Sequence, residues 1–260
     1  MPERSSYPPG TPSWVDLGSP DLDASALFYG GLFGWEAVET GPVEETGGYR
    51  MFMRDGRHVA GLGPLQTAGQ PPIWTTYVSV QDADDAVRRI GEAGGRTLLE
   101  PLEVLEAGRM AVLADPAGAA FAVWEPAAHK GAAVVNEPGA LSWNELATRD
   151  LDGAKRFYGE VFGWAGEAQA MGSDTYTVWM LGGEMVGGMI EMDERWPAEV
   201  PPHWMAYFAV HDADDAAELA EDLGGRVWVA PTDLPVGRFA MLAGPHGEVF
   251  SVIALAAPGS

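Results

Sequence analysis

The chain has 260 residues, 38 acidic against 15 basic side chains, a formal charge of -23 and no cysteine. Disulfides, thiolate metal sites and a cysteine nucleophile are therefore excluded, and so acidic a molecule repels nucleic acid phosphates and anionic lipid. Hydrophobic residues make up 47% of the chain, enough for two cores of ordinary domain size, while the polar, proline-rich start and the lack of any apolar run near 18 residues predict a cytoplasmic protein without signal or membrane span.

In chain order, residues 14–17 read as a strand. Asp21 is placed to cap a helix in which Ser25, Phe28, Tyr29, Leu32 and Phe33 fall on one face. Residues 49–53 and 58–62 read as strands, joined by the hairpin pair Asp55-Gly56. A second unit begins with a strand over residues 74–80. Its helix carries Ala83, Ala86, Val87 and Ile90 and stops at Gly94-Gly95. Three short strands follow, over residues 96–99, 109–114 and 119–124, and the turn sequence Asp115-Pro116-Ala117-Gly118 joins the last two. A small-residue stretch containing Gly131, Pro138 and Gly139 then precedes a second run of the whole pattern.

That second run is an internal repeat. Ser13-Trp14 through Phe28-Tyr29-Gly30 to Phe33-Gly34-Trp35 returns 129 positions later as Ser142-Trp143, Phe157-Tyr158-Gly159 and Phe162-Gly163-Trp164. Pro71-Pro72 with Trp74, Tyr77, Val80 and Asp82-Ala83-Asp84-Asp85-Ala86 returns 130 positions on as Pro201-Pro202 with Trp204, Tyr207, Val210 and Asp212-Ala213-Asp214-Asp215-Ala216. Order and spacing persist over about 120 residues, which indicates duplication of a whole domain. The predicted organisation is a first domain over residues 1–127, a linker over 128–140 and a second domain over 141–260.

Leu17-x-x-x-Asp21-Leu22, Phe28-Tyr29, Leu32-Phe33-Gly34-Trp35 and the closing Leu113-x-Asp115-Pro116-x-Gly118 resemble the opening and closing motifs of the vicinal-oxygen-chelate superfamily. This superfamily includes glyoxalase I, extradiol dioxygenases, and fosfomycin-resistance and bleomycin-binding proteins. The resemblance covers nearly all of both halves and is closest to tandem glyoxalase-like proteins labelled hydroxylases. It implies an α+β fold: two tandem glyoxalase-like domains, each of two βαβββ modules forming a curled mixed sheet with a cleft. One such scaffold hosts many chemistries.

Metal-dependent members of that superfamily place a histidine at the start of a module's first strand and a glutamate in its last. Aligned on the motifs, the histidine positions hold Trp14, Trp143, Thr75 and Met205, and the glutamate positions hold Ala122 and Ser251. Indole cannot ligate a cation, so no metal and no other cofactor is expected. His58, with Asp16 or Glu145, is the remaining route to a mixed histidine and carboxylate site, although the repeat puts Met185 where His58 stands. His129, in the linker, is expected to be a satisfied or exposed structural residue.

Strand alternation puts Trp14 and Asp16 on one face and Val15 and Leu17 on the other. With the cleft on the first of these faces, its lining is Trp14, Asp16, Tyr77 and Trp124 in the first domain. In the second it is Trp143, Glu145, Met205, Tyr207, Ser251 and Ile253. Such an aromatic box with one carboxylate suits a small hydrophobic or aromatic molecule, bound for sequestration or presentation by a monomer or homodimer. Three alternatives stay open at this level: closed clefts in which the aromatics are core, an enzyme in which Asp16 or Glu145 moves a proton, and a glyoxalase or dioxygenase with an atypical metal site. Arg109 and Arg238 are read as structural ion-pair residues, and the Asp82 and Asp212 clusters as helix N-termini.

Overall fold

The computed structural model describes residues 4–67, 69–171 and 174–256. In the first half the order is β1 (Pro12–Ser19), α1 (Leu22–Phe33), β2 (Glu36–Glu39), α2 (Val43–Thr46), β3 (Arg50–Arg54) and β4 (Arg57–Pro64). It continues with β5 (Ile73–Ser79), α3 (Ala83–Glu92), β6 (Arg96–Val104), β7 (Gly108–Ala114) and β8 (Ala120–Pro126). The second half repeats it as β9 (Leu141–Thr148), α4 (Leu151–Phe162), β10 (Ala165–Met171), β11 (Asp174–Leu181) and β12 (Glu184–Glu191). Its last module is β13 (His203–Ala209), α5 (Ala213–Asp222), β14 (Arg226–Leu234), β15 (Gly237–Ala243) and β16 (Val249–Leu255).

Each half forms one eight-stranded mixed sheet, in the orders β2-β3-β4-β1-β5-β8-β7-β6 and β10-β11-β12-β9-β13-β16-β15-β14. Two βαβββ modules meet in each sheet where the first strands run antiparallel, β1 against β5 and β9 against β13. Modules thus pair within a half. The strand β2, unforeseen from sequence, is a mostly exposed edge strand without hydrophobic alternation, so its residues carry no burial signal.

Local chemistry sets the helix limits. Asp21 caps α1 by accepting from the Asp23 and Ala24 amides, and Gly34 ends it at φ +72°. Asp82 and Asp212 cap α3 and α5 in the same way. The hairpin between β3 and β4 takes left-handed φ at both Asp55 and Gly56, as a two-residue turn requires.

The apolar faces of the two sheets share their cores crosswise. Val15, Leu17, Phe28, Tyr29 and Phe52 of the first half pack with Phe208, Ala216 and Phe250 of the second. Ile90, Leu113 and Phe121 pack with Phe157, Tyr158 and Trp204. The halves therefore sit back to back with α1 beside α5 and α3 beside α4, and the opposite faces of the sheets, carrying separate clusters around Trp14 and Tyr207, point outward.

Pseudo-symmetric polar contacts tie the halves together. Trp35 Nε1 donates to the Gly139 carbonyl, and Trp164 Nε1 to the Gly10 carbonyl, both at 2.7 Å. Buried Tyr29 donates to Glu248 at 3.0 Å while accepting from Trp74, and buried Tyr158 donates to Asp115 at 3.1 Å while accepting from Trp204. Glu248 does not occupy the position equivalent to Asp115, which is Gly244. A Cβ at Gly244 would stand 2.1 Å from the Glu248 carboxylate, so a longer acid from four residues further on fills the place of the missing aspartate.

The segment between the sheets is not free-running. Residues 127–133 lie along the first sheet, with Ala132 and Ala133 donating to the carbonyls of Ser13 and His58.

Candidate functional site

In the first outward face, β1 and β5 set Asp16 opposite Thr75 and Trp14 opposite Tyr77, while β8 sets Ala122 beside Tyr77. The Asp16 carboxylate accepts from Tyr77 OH at 2.8 Å and from Tyr49 OH at 3.4 Å, and Tyr49 in turn accepts from Trp14 Nε1 at 3.3 Å. The second face repeats this line. Glu145 stands opposite Met205, Trp143 opposite Tyr207, and Ser251 beside Tyr207. Tyr207 OH donates to Glu145 at 2.8 Å, Trp143 Nε1 donates to Tyr176 OH at 2.8 Å, and the Tyr176 hydroxyl also bonds Glu145.

Both outward faces thus hold one carboxylate between two tyrosines, with an indole behind one of them. Burial raises the Asp16 carboxyl to about 6 against the opposing pull of its hydrogen bonds from Tyr77, Tyr49 and Thr75. Burial likewise raises Glu145, opposed by Tyr176 and Tyr207. Tyr49, Tyr77 and Tyr207 are raised well above the usual phenol range, first by burial and then by the adjacent carboxylate, and Tyr176 is raised for the same reasons. All four are neutral donors at any physiological pH.

The structure brings together Trp14, Asp16 and Tyr77, and separately Trp143, Glu145, Met205, Tyr207 and Ser251, as strand parity predicted. Trp124 also lies in the first cluster, but its indole N–H is held by the His129 carbonyl at 2.9 Å. Tyr49 and Tyr176 escaped the sequence reading. They are 127 positions apart rather than 129 or 130, because the stretch between Trp35 and Tyr49 is two residues longer than that between Trp164 and Tyr176. The signal that could have found them is glycine. A Cβ at Gly61 would stand 1.8 Å from the Tyr49 hydroxyl, and one at Gly188 1.8 Å from the Tyr176 hydroxyl. These glycines flank the carboxylates, since Gly61 pairs with Asp16 and Gly188 with Glu145, and only a residue without a side chain lets the tyrosine cross the strand.

His129 corrects an expectation. It is neither exposed nor satisfied: both ring nitrogens are buried without a hydrogen-bond partner. Its ring meets Trp14 edge-on at 4.4 Å, with Trp124 at 5.7 Å and His58 at 5.5 Å, and burial followed by His58 lowers its pKa to about 4. Arg109 pairs with Asp84 and Glu103, and Arg238 with Asp214 and Asp233, so both are structural, as expected.

The donor set on either outward face fits a cation poorly. Each has a single carboxylate whose oxygens face O–H donors, neutral phenols are weak ligands, and the first adds only the His129 and His58 rings, 5.5 Å apart. Among the described residues no group of three or more His, Asp or Glu side chains could hold a metal ion.

The family model described as "Glyoxalase/Bleomycin resistance protein/Dioxygenase superfamily" matches residues 11–123 and again 126–252. The chain is 43% identical over 263 residues to the anthracycline biosynthesis protein DnrV of Streptomyces peucetius, covering 96% of this chain and 94% of that one. It is 42% identical over 259 residues to CFP32 of Mycobacterium tuberculosis, which is named as a glyoxylase, covering 97% and 98%. Among solved structures, the fold is similar to the Mn(II)-bound glyoxalase of Novosphingobium aromaticivorans, with a TM-score of 0.64 at 18% identity over 94% of this chain and 82% of that one. It is equally similar to the 2,3-dioxygenase LapB of Pseudomonas sp. KL28, with a TM-score of 0.64 at 14% identity over 96% and 94%. Among the described residues no helix is long and apolar enough to cross a membrane.

Proposed function

The chain belongs to the glyoxalase/bleomycin resistance protein/dioxygenase superfamily, and from that premise we propose that it binds a small, flat aromatic compound in its cleft without a metal. The observation that carries this is the Trp–Tyr–carboxylate–Tyr line, repeated in both halves, with indoles at the positions where the superfamily resemblance expects a metal-binding histidine. Aromatic faces supply stacking area, and the carboxylate is the one strong acceptor there for a ligand O–H or N–H. Relatives named for anthracycline biosynthesis support a fused-ring aromatic as the ligand class.

A second reading, proton transfer, is favoured by one observation. An Asp16 carboxyl near 6 is matched to taking and returning a proton near neutrality, as general acid–base catalysis requires. In this proposal the binding units are residues 1–127 and 141–260, joined by 128–140, in a cytoplasmic monomer or homodimer.

The test uses 1,4-dihydroxyanthraquinone as probe, with calorimetry and tryptophan quenching. Micromolar binding is expected without added metal and unchanged by chelator. Glu145→Gln should weaken it by roughly 10-fold, the worth of a charge-assisted hydrogen bond. Binding that disappears with chelator and returns with a divalent cation would end the metal-free reading. Conversion of the probe by the wild type but not by Glu145→Gln or Asp16→Asn would select proton transfer.

A further inference from the structure

The two clefts are alike at the carboxylate and unlike at the indole. Trp14 is 4% exposed, whereas Trp143 is only half-buried. Among the described residues, the chain past β8 crosses the first indole. Past β8 the chain turns back over the first cleft as a strap: Ala127 and His129 donate to the Ala107 carbonyl, Ala128 to Glu106, Ala132 to Ser13 and Ala133 to His58. Side chains hold it from both edges, since Trp124 Nε1 donates to the His129 carbonyl at 2.9 Å and Tyr7 OH to the Ala132 carbonyl at 2.7 Å.

Gly131 lets the strap lie this close. Its φ is +114°, and a Cβ there would stand 2.5 Å from the Ser13 carbonyl oxygen and 2.9 Å from the Tyr7 ring. In the second half Ala256 makes the hydrogen bond equivalent to that of Ala127, to the Val236 carbonyl. Where Trp124 anchors the strap, however, the second sheet has Ile253, which has no side-chain donor.

What the strap carries into the cleft is a flat aromatic ring. The His129 imidazole sits at 4.4 Å and 79° from Trp14 and at 5.7 Å and 69° from Trp124, the edge-to-face packing that aromatic pairs favour. Both its nitrogens are buried without partners. A group placed there for its own hydrogen bonds would have them, so the ring serves as an apolar filler that bears a desolvation cost. Its low pKa keeps it neutral.

We propose that the interdomain linker is a resident occupant of the first cleft, its His129 ring standing where an aromatic ligand's ring would lie, so that ligand enters the second cleft alone. The proposal rests on the reading of these clefts as aromatic-binding sites and adds to it a stoichiometry of one ligand per chain. It also assigns the two sites different roles, one around Glu145 with a half-buried indole and a strapped one around Asp16.

Oxidative footprinting of the full chain tests the strap without any ligand. Trp14 is expected to be modified several-fold more slowly than Trp143. His129→Gly, which removes the ring, and Gly131→Ala, which lifts the strap and leaves the ring intact, should each raise Trp14 modification several-fold and leave Trp143 unchanged. Calorimetry with 1,4-dihydroxyanthraquinone should then move from one molecule per wild-type chain to two per His129→Gly chain. Equal modification of Trp14 and Trp143 in the wild type, unchanged Trp14 in both variants, or two quinones per wild-type chain would overturn the proposal. If the labelling follows expectation while no protein binds the quinone, the aromatic-binding reading fails and the strap stands.

Discussion

Asp16 shows how a single residue's surroundings set its ionisation and, through it, stability. Its carboxyl titrates near 6 in the fold and near 3.9 in an unfolded chain. Between those values the folded state holds the proton that the unfolded state has released, so stability falls as pH rises through the window and stays lower above it. Asp16→Asn removes this ionisation but keeps an acceptor for Tyr77. The variant is therefore expected to be about 1–3 kcal/mol more stable than wild type at pH 8, with the gain vanishing towards pH 4. Urea unfolding at the two pH values measures this, and a gain that is the same at both would show that the carboxylate is not held at the cost inferred here. A group that is destabilising in the fold yet present in both halves is what a functional site is expected to contain.

At the scale of elements, the site depends on strands crossing closely enough for a tyrosine to reach over a neighbour. In β12, Gly188 leaves room for Tyr176 from β11, and a Cβ would meet the hydroxyl at 1.8 Å and Trp143 Nε1 at 2.8 Å. Gly188→Ala is expected to push Tyr176 off Glu145, weakening quinone binding roughly 10-fold through the lost hydrogen bond and costing about 1–3 kcal/mol of stability through overpacking. Fluorescence titration and thermal denaturation read the two effects separately. Affinity unchanged in a folded variant would remove Tyr176 from the site. The glycine was plain in the sequence, but its purpose was not, because the crowding residue lies in another strand.

Across the whole molecule, the two halves are held back to back by reciprocal contacts, each helix tyrosine reaching a carboxylate in the other half's last hairpin. Tyr29→Phe leaves both Trp74 Nε1 and Glu248 short of a buried partner and is expected to cost about 1–3 kcal/mol. Combined with Glu248→Gln in a double-mutant cycle, it should show coupling above about 0.5 kcal/mol, with quinone affinity unaffected. Additive losses would mean that the contact does not join the halves energetically.

The sequence by itself determined the duplicated architecture, most of the strand and helix order apart from β2 and α2, the Asp21 cap, and the shared sheet face of Trp14, Asp16, Trp143, Glu145 and Tyr207. Those features rest on local periodicity, turn chemistry and self-similarity, all of which survive in a linear string. Tertiary structure alone decided that Tyr49 and Tyr176 complete the carboxylate pairs, that Glu248 takes the place of an absent aspartate, and that His129 lies over Trp14. Each of these joins residues from separate elements through shape and desolvation, and neither quantity exists until the sheets have packed.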